Sequence, residues 1–469
     1  MKHSKKLGLL YIFLMLFLWG CSHIPQETAP SSSVTTAPPL TAVQQYTKAC
    51  AAVREAENLL LNYSVSQERS VNGASYSKSI SGTATFQNIR QDSMTAIVEE
   101  TLTYGTYENT YEELYCNQAA YVLVDNCVFS AQLSASDFVN RQIPAILMDE
   151  SLYASIVAAP SEAGTTLTFS QPIGLERWLS PGENTTFISA SGTATLDSSG
   201  NLTQSSYRAT YLWQDVEYVY EASVKVTVPK ALDLSGRHPN HFQDASPISD
   251  IRIPKLLMQV VGDVYSSQVL SCDATEAIYS EAIPLSQNRQ SLFRLSGASA
   301  ALHANMEHTI TLSDYRSDVS TSTQAYLFQN GQFTSSINGS APTVQPQITA
   351  QQVRQSCEDA ILSALFATKY ISGATLLEDV GRYRLELSGN ESFVSDLMVG
   401  ITQFLTVDLD SQADTALTRE AGGYVVIDMA TGLPTAMGLS LHREHTVNTV
   451  PYQLTYRLEH TLLLSGMAS

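Results

Sequence analysis

Positive charge is scarce in this chain: 26 Lys and Arg stand against 45 Asp and Glu, a formal net charge of −19. A surface of that sign repels nucleic acid and anionic headgroups. Charged residues make up only 15% of the chain and hydrophobic ones 44%, which excludes a disordered polyelectrolyte and supplies packed cores. No C-x-x-C occurs, which argues against a redox pair or a zinc knuckle. There is no G-x-S-x-G elbow, no Gly-rich phosphate loop, no H-E-x-x-H and no EF-hand loop. Catalysis therefore has no motif to stand on, and the expectation is a protein that is not an enzyme and carries no cofactor.

What is present begins with Cys21. It closes the run Leu18-Trp19-Gly20-Cys21, after Lys2, Lys5, Lys6 and the apolar stretch Leu7–Leu18. About a dozen apolar residues are too few to cross a bilayer as a helix, which needs about 20. The arrangement resembles a bacterial lipoprotein signal, cut before a cysteine whose thiol takes a lipid. It implies residues 1–20 as signal peptide, Cys21 as the lipidation site, and a body on the extracytoplasmic face of a membrane. Residues 21–40, rich in Ser, Thr and Pro, read as a semi-extended tether. Beyond Cys21 lie Cys50, Cys116, Cys127, Cys272 and Cys357, an odd number, read as free buried thiols. A Cys116–Cys127 bridge would require the chain to turn between them.

The body repeats itself. Apolar residues recur at helical spacing over Thr41–Asn62, and strand patterns follow. YSKSISGTATF (76–86) finds an echo in LFRLSGASAAL (292–302), aligned on Ser81-Gly82 and Ser296-Gly297. AIVEETLTYG (96–105) answers to MEHTITLSDY (306–315), and Gln118–Leu123 to Gln324–Phe328. Helix-like stretches follow at Ser136–Ala158 and Thr349–Tyr370. Both halves close alike: Gly192–Asp197 and Gly423–Asp428 each lead through a Gly-bearing turn into two long strands. The predicted units are 41–230, a linker at 231–252, and 253–466, whose first helix spans Leu256–Tyr265.

Alternation is plainest in the closing strands. Val216, Tyr218, Tyr220, Ala222, Val224 and Val226 share one face, and Tyr452, Leu454, Tyr456, Leu458 and Leu462 another. Period two means one buried and one wet face. Val216–Val228 would extend about 44 Å at about 3.4 Å per residue, which suits a large antiparallel sheet. The Tyr-rich faces, with Tyr207, Tyr211, Tyr218 and Tyr220 in one half and Tyr452, Leu454 and Tyr456 in the other, read as plain core or as walls of a ligand cavity.

The signal and the closing units Thr195–Val228 and Val426–Leu463 resemble the LolA/LppX-type superfamily, in particular lipoproteins of that type from Gram-positive bacteria. The resemblance implies an α+β fold: two tandem copies of a curved antiparallel sheet, each an unclosed half-barrel with helices packed on its concave face. It also implies binding of an acyl chain, a lipid or a lipidated protein. The alternative is a non-enzymatic envelope interaction or sensor module with filled cores. Partners are then the membrane, through the lipid, and an apolar ligand or envelope protein.

Three polar groupings are read as non-metal. His238, His241 and Asp244 sit in a Pro-bearing linker. His442 and His445, three apart on a strand, face opposite ways and read as surface or edge residues. Asp408, Asp410 and Asp414 lack the glycine of a calcium loop.

Overall fold

Strands dominate, and helices fall at matching points of two halves. The computed structural model describes residues 39–465 except 72–73, 106, 143–152, 173–184, 214–215, 235, 237–241, 243, 283–284, 298–300, 315–318 and 406–407. The first half runs α1 (Ala42–Arg54), β1 (Leu59–Val71), β2 (Ala74–Gln87), β3 (Thr95–Tyr104), β4 (Tyr107–Cys116), β5 (Ala119–Val124), β6 (Cys127–Gln132), α2 (Ala135–Gln142), β7 (Tyr153–Ser161), β8 (Gly164–Pro172), β9 (Thr185–Leu196), β10 (Leu202–Trp213) and β11 (Val216–Thr227). A two-residue strand, β12 (Ser246–Pro247), lies between the halves.

The second half runs α3 (Ile253–Ser266), β13 (Val269–Ser280), β14 (Leu285–Ser296), β15 (His303–Asp314), β16 (Val319–Gln329), β17 (Gln332–Ile337), β18 (Thr343–Val344), α4 (Ala350–Leu362), β19 (Ile371–Asp379), β20 (Arg382–Gly389), α5 (Glu391–Leu405), α6 (Leu409–Gln412), β21 (Thr415–Asp428), β22 (Pro434–Val447) and β23 (Val450–Ser465).

The duplication is visible in the strand order. One sheet reads β6-β5-β4-β3-β2-β1-β11-β10-β9-β8-β7, extended by β12 beyond β6 to 12 strands. The other, of 11 strands, reads β18-β17-β16-β15-β14-β13-β23-β22-β21-β20-β19. Position for position the order is the same, with the last strand of each half returning to lie beside the first. Both sheets are unclosed. The closing turns follow the expected chemistry: Asp197 Oδ1 accepts from the amides of Ser199 and Asn201, both at 2.8 Å, and Gly200 has φ 84°. Asp428 Oδ1 accepts from the amide and hydroxyl of Thr431, also at 2.8 Å, and Gly432 has φ 67°. Glycine takes such backbone angles at no steric cost.

Several expectations are corrected. The Ser-Gly echo is misaligned: Ser81-Gly82 lies inside β2, whereas Ser296 ends β14 and Gly297 lies beyond it. Gly82 lies in mid-strand, where an added Cβ would sit 2.2 Å from the Glu99 carbonyl, whereas Gly297 (φ 83°) makes a turn. The match of 118–123 to 324–328 is likewise one strand out, because β5 corresponds to β17. The helix expected over Ser136–Ala158 is α2 alone up to Gln142. From Tyr153 the β-branched pair Ile156-Val157 extends as β7, and 143–152 lie outside the described residues. The first helix stops at Arg54, and Leu59 already belongs to a strand.

The stretch read as a linker is docked. Gln87 bonds the Leu232 carbonyl (2.7 Å), and Phe242 packs with Ile97, Leu114 and Cys116. Ser246 and Pro247 pair in parallel with β6, and Ile248 bridges to Ala374 of β19. This short segment therefore borders an edge strand of each sheet. Thr41–Ser469 forms one compact unit, and a single apolar core runs through both halves. None of the five cysteines from Cys50 onward stands in a disulfide; four of them are buried and Cys127 is half-buried. Cys21 lies outside the described residues. No helix among those described is long and apolar enough to cross a membrane.

Candidate functional site

The face of each sheet that carries the core residues, here the inner face, is where candidate sites lie. In the first half, part of this face is occupied by the second half. Arg69 of β1 pairs with Asp263 of α3 at 2.6 Å, and both side chains are only 4% exposed. The Arg69 guanidinium also lies over the Tyr76 ring, 5.2 Å from its centre. Tyr76 Oη meets Ser267 Oγ at 3.3 Å, and Tyr104 Oη donates to the Lys255 carbonyl at 3.3 Å. Glu100 accepts from Tyr63 at 2.5 Å and pairs with Lys255. Gly262 lets α3 lie flat on β3, since a Cβ there would stand 2.2 Å from Tyr104 Cβ. Burial pushes the Asp263 carboxyl up to about 6, against the pull of Arg69.

The β21–β22 turn makes a second intrusion. Tyr218 donates its hydroxyl to the Ala430 carbonyl, and Gln259 of α3 donates to the Gly432 carbonyl at 2.9 Å. Of the first-half tyrosines that the sequence offers, Tyr211 and Tyr218 are buried in the core, Tyr220 is half-buried, and Tyr207 lines a space of about 780 Å³ together with Val65, Ile80 and Ala222. Tyr211 and Tyr218 stack with ring centres 5.2 Å apart and planes 5° apart, and Tyr207 and Tyr220 stack at 5.4 Å. Gln67 donates to Tyr211 Oη at 3.4 Å. Burial raises the Tyr218 phenol to about 12.

The second half keeps space on its inner face, in two places. A groove of about 960 Å³ lies between α5 and the start of β21, lined by Val394, Met398, Val399, Leu417, Asp410 and Arg443 among others. The anchored end of α5 is aromatic: Phe393 packs on Phe366 with centroids 4.3 Å apart. At the groove, Asp410 accepts from Arg443 Nε (3.0 Å), Arg443 Nη2 (2.8 Å) and His445 Nε2 (2.6 Å). Partial burial opposes ionisation of Asp410, but these bonds outweigh it and hold its carboxyl below the usual range. His445 is buried rather than on the surface, because Asp410 receives its ring. His442 bonds Gln453 instead, so the two histidines do face apart.

A chamber of about 420 Å³ lies beneath α4. Ser356, Ala360 and Ser363 form its helical side, and Phe293, Met306, Tyr326 and Leu458 contribute apolar wall. Its acidic and basic groups are Glu276, Arg289, His308 and His460. Tyr456, offered by the sequence, stands beside it and donates to Glu276 at 3.1 Å. Leu454 and Tyr452 pair across the sheet with Arg443 and His445, next to the groove. Sequence reasoning misses His308 and His460. The signal for His460 is parity: it takes the inner-face slot between Leu458 and Leu462 that the alternation reserves for apolar residues.

Among the described residues no group of three or more His, Cys, Asp or Glu is set to hold a metal ion. Asp408 Oδ1 accepts from the Ser411 amide at 3.2 Å, and Asp414 Oδ2 from the Asn448 amide at 2.8 Å. His238 and His241 lie outside the described residues.

No family model matches the chain, and no curated protein matches it. Among solved structures, LprF from Mycobacterium bovis is similar over 40% of this chain and 96% of its own, at 12% identity and a TM-score of 0.21. OccK11 (OpdR) from Pseudomonas aeruginosa is similar over 88% of this chain and 97% of its own, at 6% identity and a TM-score of 0.10. OpdO from Pseudomonas aeruginosa gives 88% and 98%, at 6% identity and a TM-score of 0.10. Superpositions this loose carry no argument, and the fold rests on the strand order of the two unclosed sheets.

Proposed function

We propose that this chain is a non-enzymatic lipoprotein of the cell envelope, held to the extracytoplasmic face of a membrane by a lipid on Cys21. In this reading its second half is a half-barrel that binds a small amphipathic ligand. One contrast carries it. The inner face of the first half is filled at Arg69, Tyr104 and Tyr218 by α3 and the β21–β22 turn, and the first half's space of about 780 Å³ is lined mostly by serine and threonine, whereas the second half keeps a groove of about 960 Å³ and a chamber of about 420 Å³. Both lie in the range of small-molecule sites and mix apolar walls with a few convergent polar groups. The first half then serves as a scaffold, and the acidic surface keeps the tethered body off anionic headgroups.

The test is native mass spectrometry of the compact unit Thr41–Ser469, purified without detergent, followed by solvent extraction. A co-purifying amphiphile that is lost when Val399→Asp and Ala360→Phe obstruct the two spaces supports the reading. A clean mass with no uptake of any offered amphiphile refutes it and leaves the envelope interaction module. Anchoring is tested separately: labelled palmitate should enter the wild-type chain in its host and not the Cys21→Ala variant.

A further inference from the structure

We infer that the chamber beneath α4 receives the head of an uncharged, hydroxyl-bearing amphiphile rather than a carboxylate, and that His460 Nε2 is the acceptor that reads the hydroxyl. The inference rests on the ligand-binding reading above and narrows its ligand class.

The four acidic and basic groups of the chamber fix its charge. Glu276 and Arg289 face each other across β13 and β14 and form an ion pair of 2.7 Å. The other oxygen of Glu276 takes the Tyr456 hydroxyl. Glu276 and Arg289 therefore balance one another's charge, through a single guanidinium nitrogen, Nη2. His308 Nδ1 lies 2.8 Å from Ser291 Oγ, and burial lowers the pKa of its ring. Burial also holds the His460 ring uncharged at neutral pH, with its pKa lowered to about 4. A carboxylate entering here meets Arg289 only in competition with Glu276, and an ion taken from water without a partner of its own is strongly disfavoured.

The tautomer of His460 follows from its partner. Nδ1 is 3.0 Å from the Ile361 carbonyl at the end of α4, and a carbonyl only accepts, so Nδ1 carries the proton. In a neutral ring Nε2 is then a bare lone pair. His460 is 2% exposed and lines the chamber, yet no described residue donates to Nε2. A ligand hydroxyl that donates to Nε2 gains a hydrogen bond there. Ser356 lines the same space and offers a hydroxyl that can donate in return, whereas the Ser363 hydroxyl already donates to the Ala360 carbonyl at 2.6 Å. Phe293, Met306 and Leu458 take the first part of an apolar chain.

The test uses two probes with one chain and different heads, dodecanoylglycerol and dodecanoate, titrated calorimetrically at pH 7 into the unit Thr41–Ser469. The glycerol ester should bind at least about tenfold more tightly, the worth of one well-made hydrogen bond. His460→Leu should remove that preference by weakening the ester alone, and His460→Gln, which keeps an acceptor, should retain most of it. Ala360→Phe, placed on the helix and away from the histidine, should abolish ester binding by filling the chamber. It keeps the test alive if His460→Leu does not fold. Dodecanoate binding as tightly as the ester would overturn this inference and leave the ligand-binding reading standing. So would ester binding untouched by Ala360→Phe, which places the ligand elsewhere. Failure of both probes and of every other amphiphile would overturn both.

Discussion

Tyr218, on the last strand of the first sheet, donates its hydroxyl to the main-chain carbonyl of Ala430, 212 residues further on in the second. A residue that the alternation offers as cavity wall is therefore a fastening between halves. Tyr218→Phe keeps the ring stack on Tyr211 and removes only this bond. It should lower stability by about 1 kcal/mol, the net worth of a buried hydrogen bond. Because one core runs through both halves, urea unfolding should stay a single transition in wild type and variant alike. Two resolved transitions would show that the halves are independent.

Gly262 gives a sharper test of the docking of α3. Replacing an interior helical glycine by alanine normally gains up to about 1 kcal/mol. Here the new methyl meets Tyr104 Cβ at 2.2 Å, and overpacking of that kind costs about 1–3 kcal/mol. Gly262→Ala should therefore destabilise. Gly400→Ala on α5 is the matched control, since its Cβ would meet nothing within 4 Å and should stabilise. Equal gains from both, read from urea midpoints, would mean that α3 does not pack on β3 as described.

Asp263 makes a prediction about pH. Burial raises its carboxyl from 3.8 to about 6. Across that window the folded chain holds a proton that the unfolded chain has released. Its contribution to stability is then greatest near pH 4 and declines as pH rises through 6. Asp263→Asn should abolish this decline, so that the difference between the two urea midpoints changes between pH 4 and 7. A constant difference would contradict a proton bound at this site.

Local chemistry was legible in the sequence, and long-range docking was not. The turns at Asp197 and Asp428 are read from a few adjacent residues, and the inner-face sets around Tyr218 and Tyr456 from period two. The Ser-Gly dipeptide misled because the same two residues serve a mid-strand close approach at Gly82 and a left-handed turn at Gly297. Arg69 and Asp263 stand 194 positions apart, and neither has a neighbour in sequence that announces the other. Helix α3 reads as a helix of its own half, and nothing in its spacing shows that Gly262 must be small to clear a strand of the other half. Parity places Tyr456 and Leu454 on the inner face, where both are buried, but neither lines the groove or the chamber. His460 was overlooked because it lacks metal-ligand spacing, although a histidine in an apolar slot is itself the signal.

His460 predicts the opposite pH response from Asp263. Its pKa falls from 6.5 to about 4 because the buried ring resists a charge. Between those values the unfolded chain binds a proton that the folded chain refuses. The stability contributed by this group is present above pH 6.5 and is lost as pH falls towards 4. His460→Gln keeps an acceptor in the chamber and does not titrate, so it should hold stability better than wild type on acidification. Asp263→Asn should instead steepen the acid loss, because it leaves the histidine unopposed. The double variant should have the flatter profile, and the two effects should add, since one site lies at the junction of the halves and the other beneath α4. A ligand hydroxyl on Nε2 competes with protonation there. Saturating the wild-type protein with dodecanoylglycerol should therefore shift its acid unfolding midpoint to lower pH, while leaving that of His460→Leu where it was.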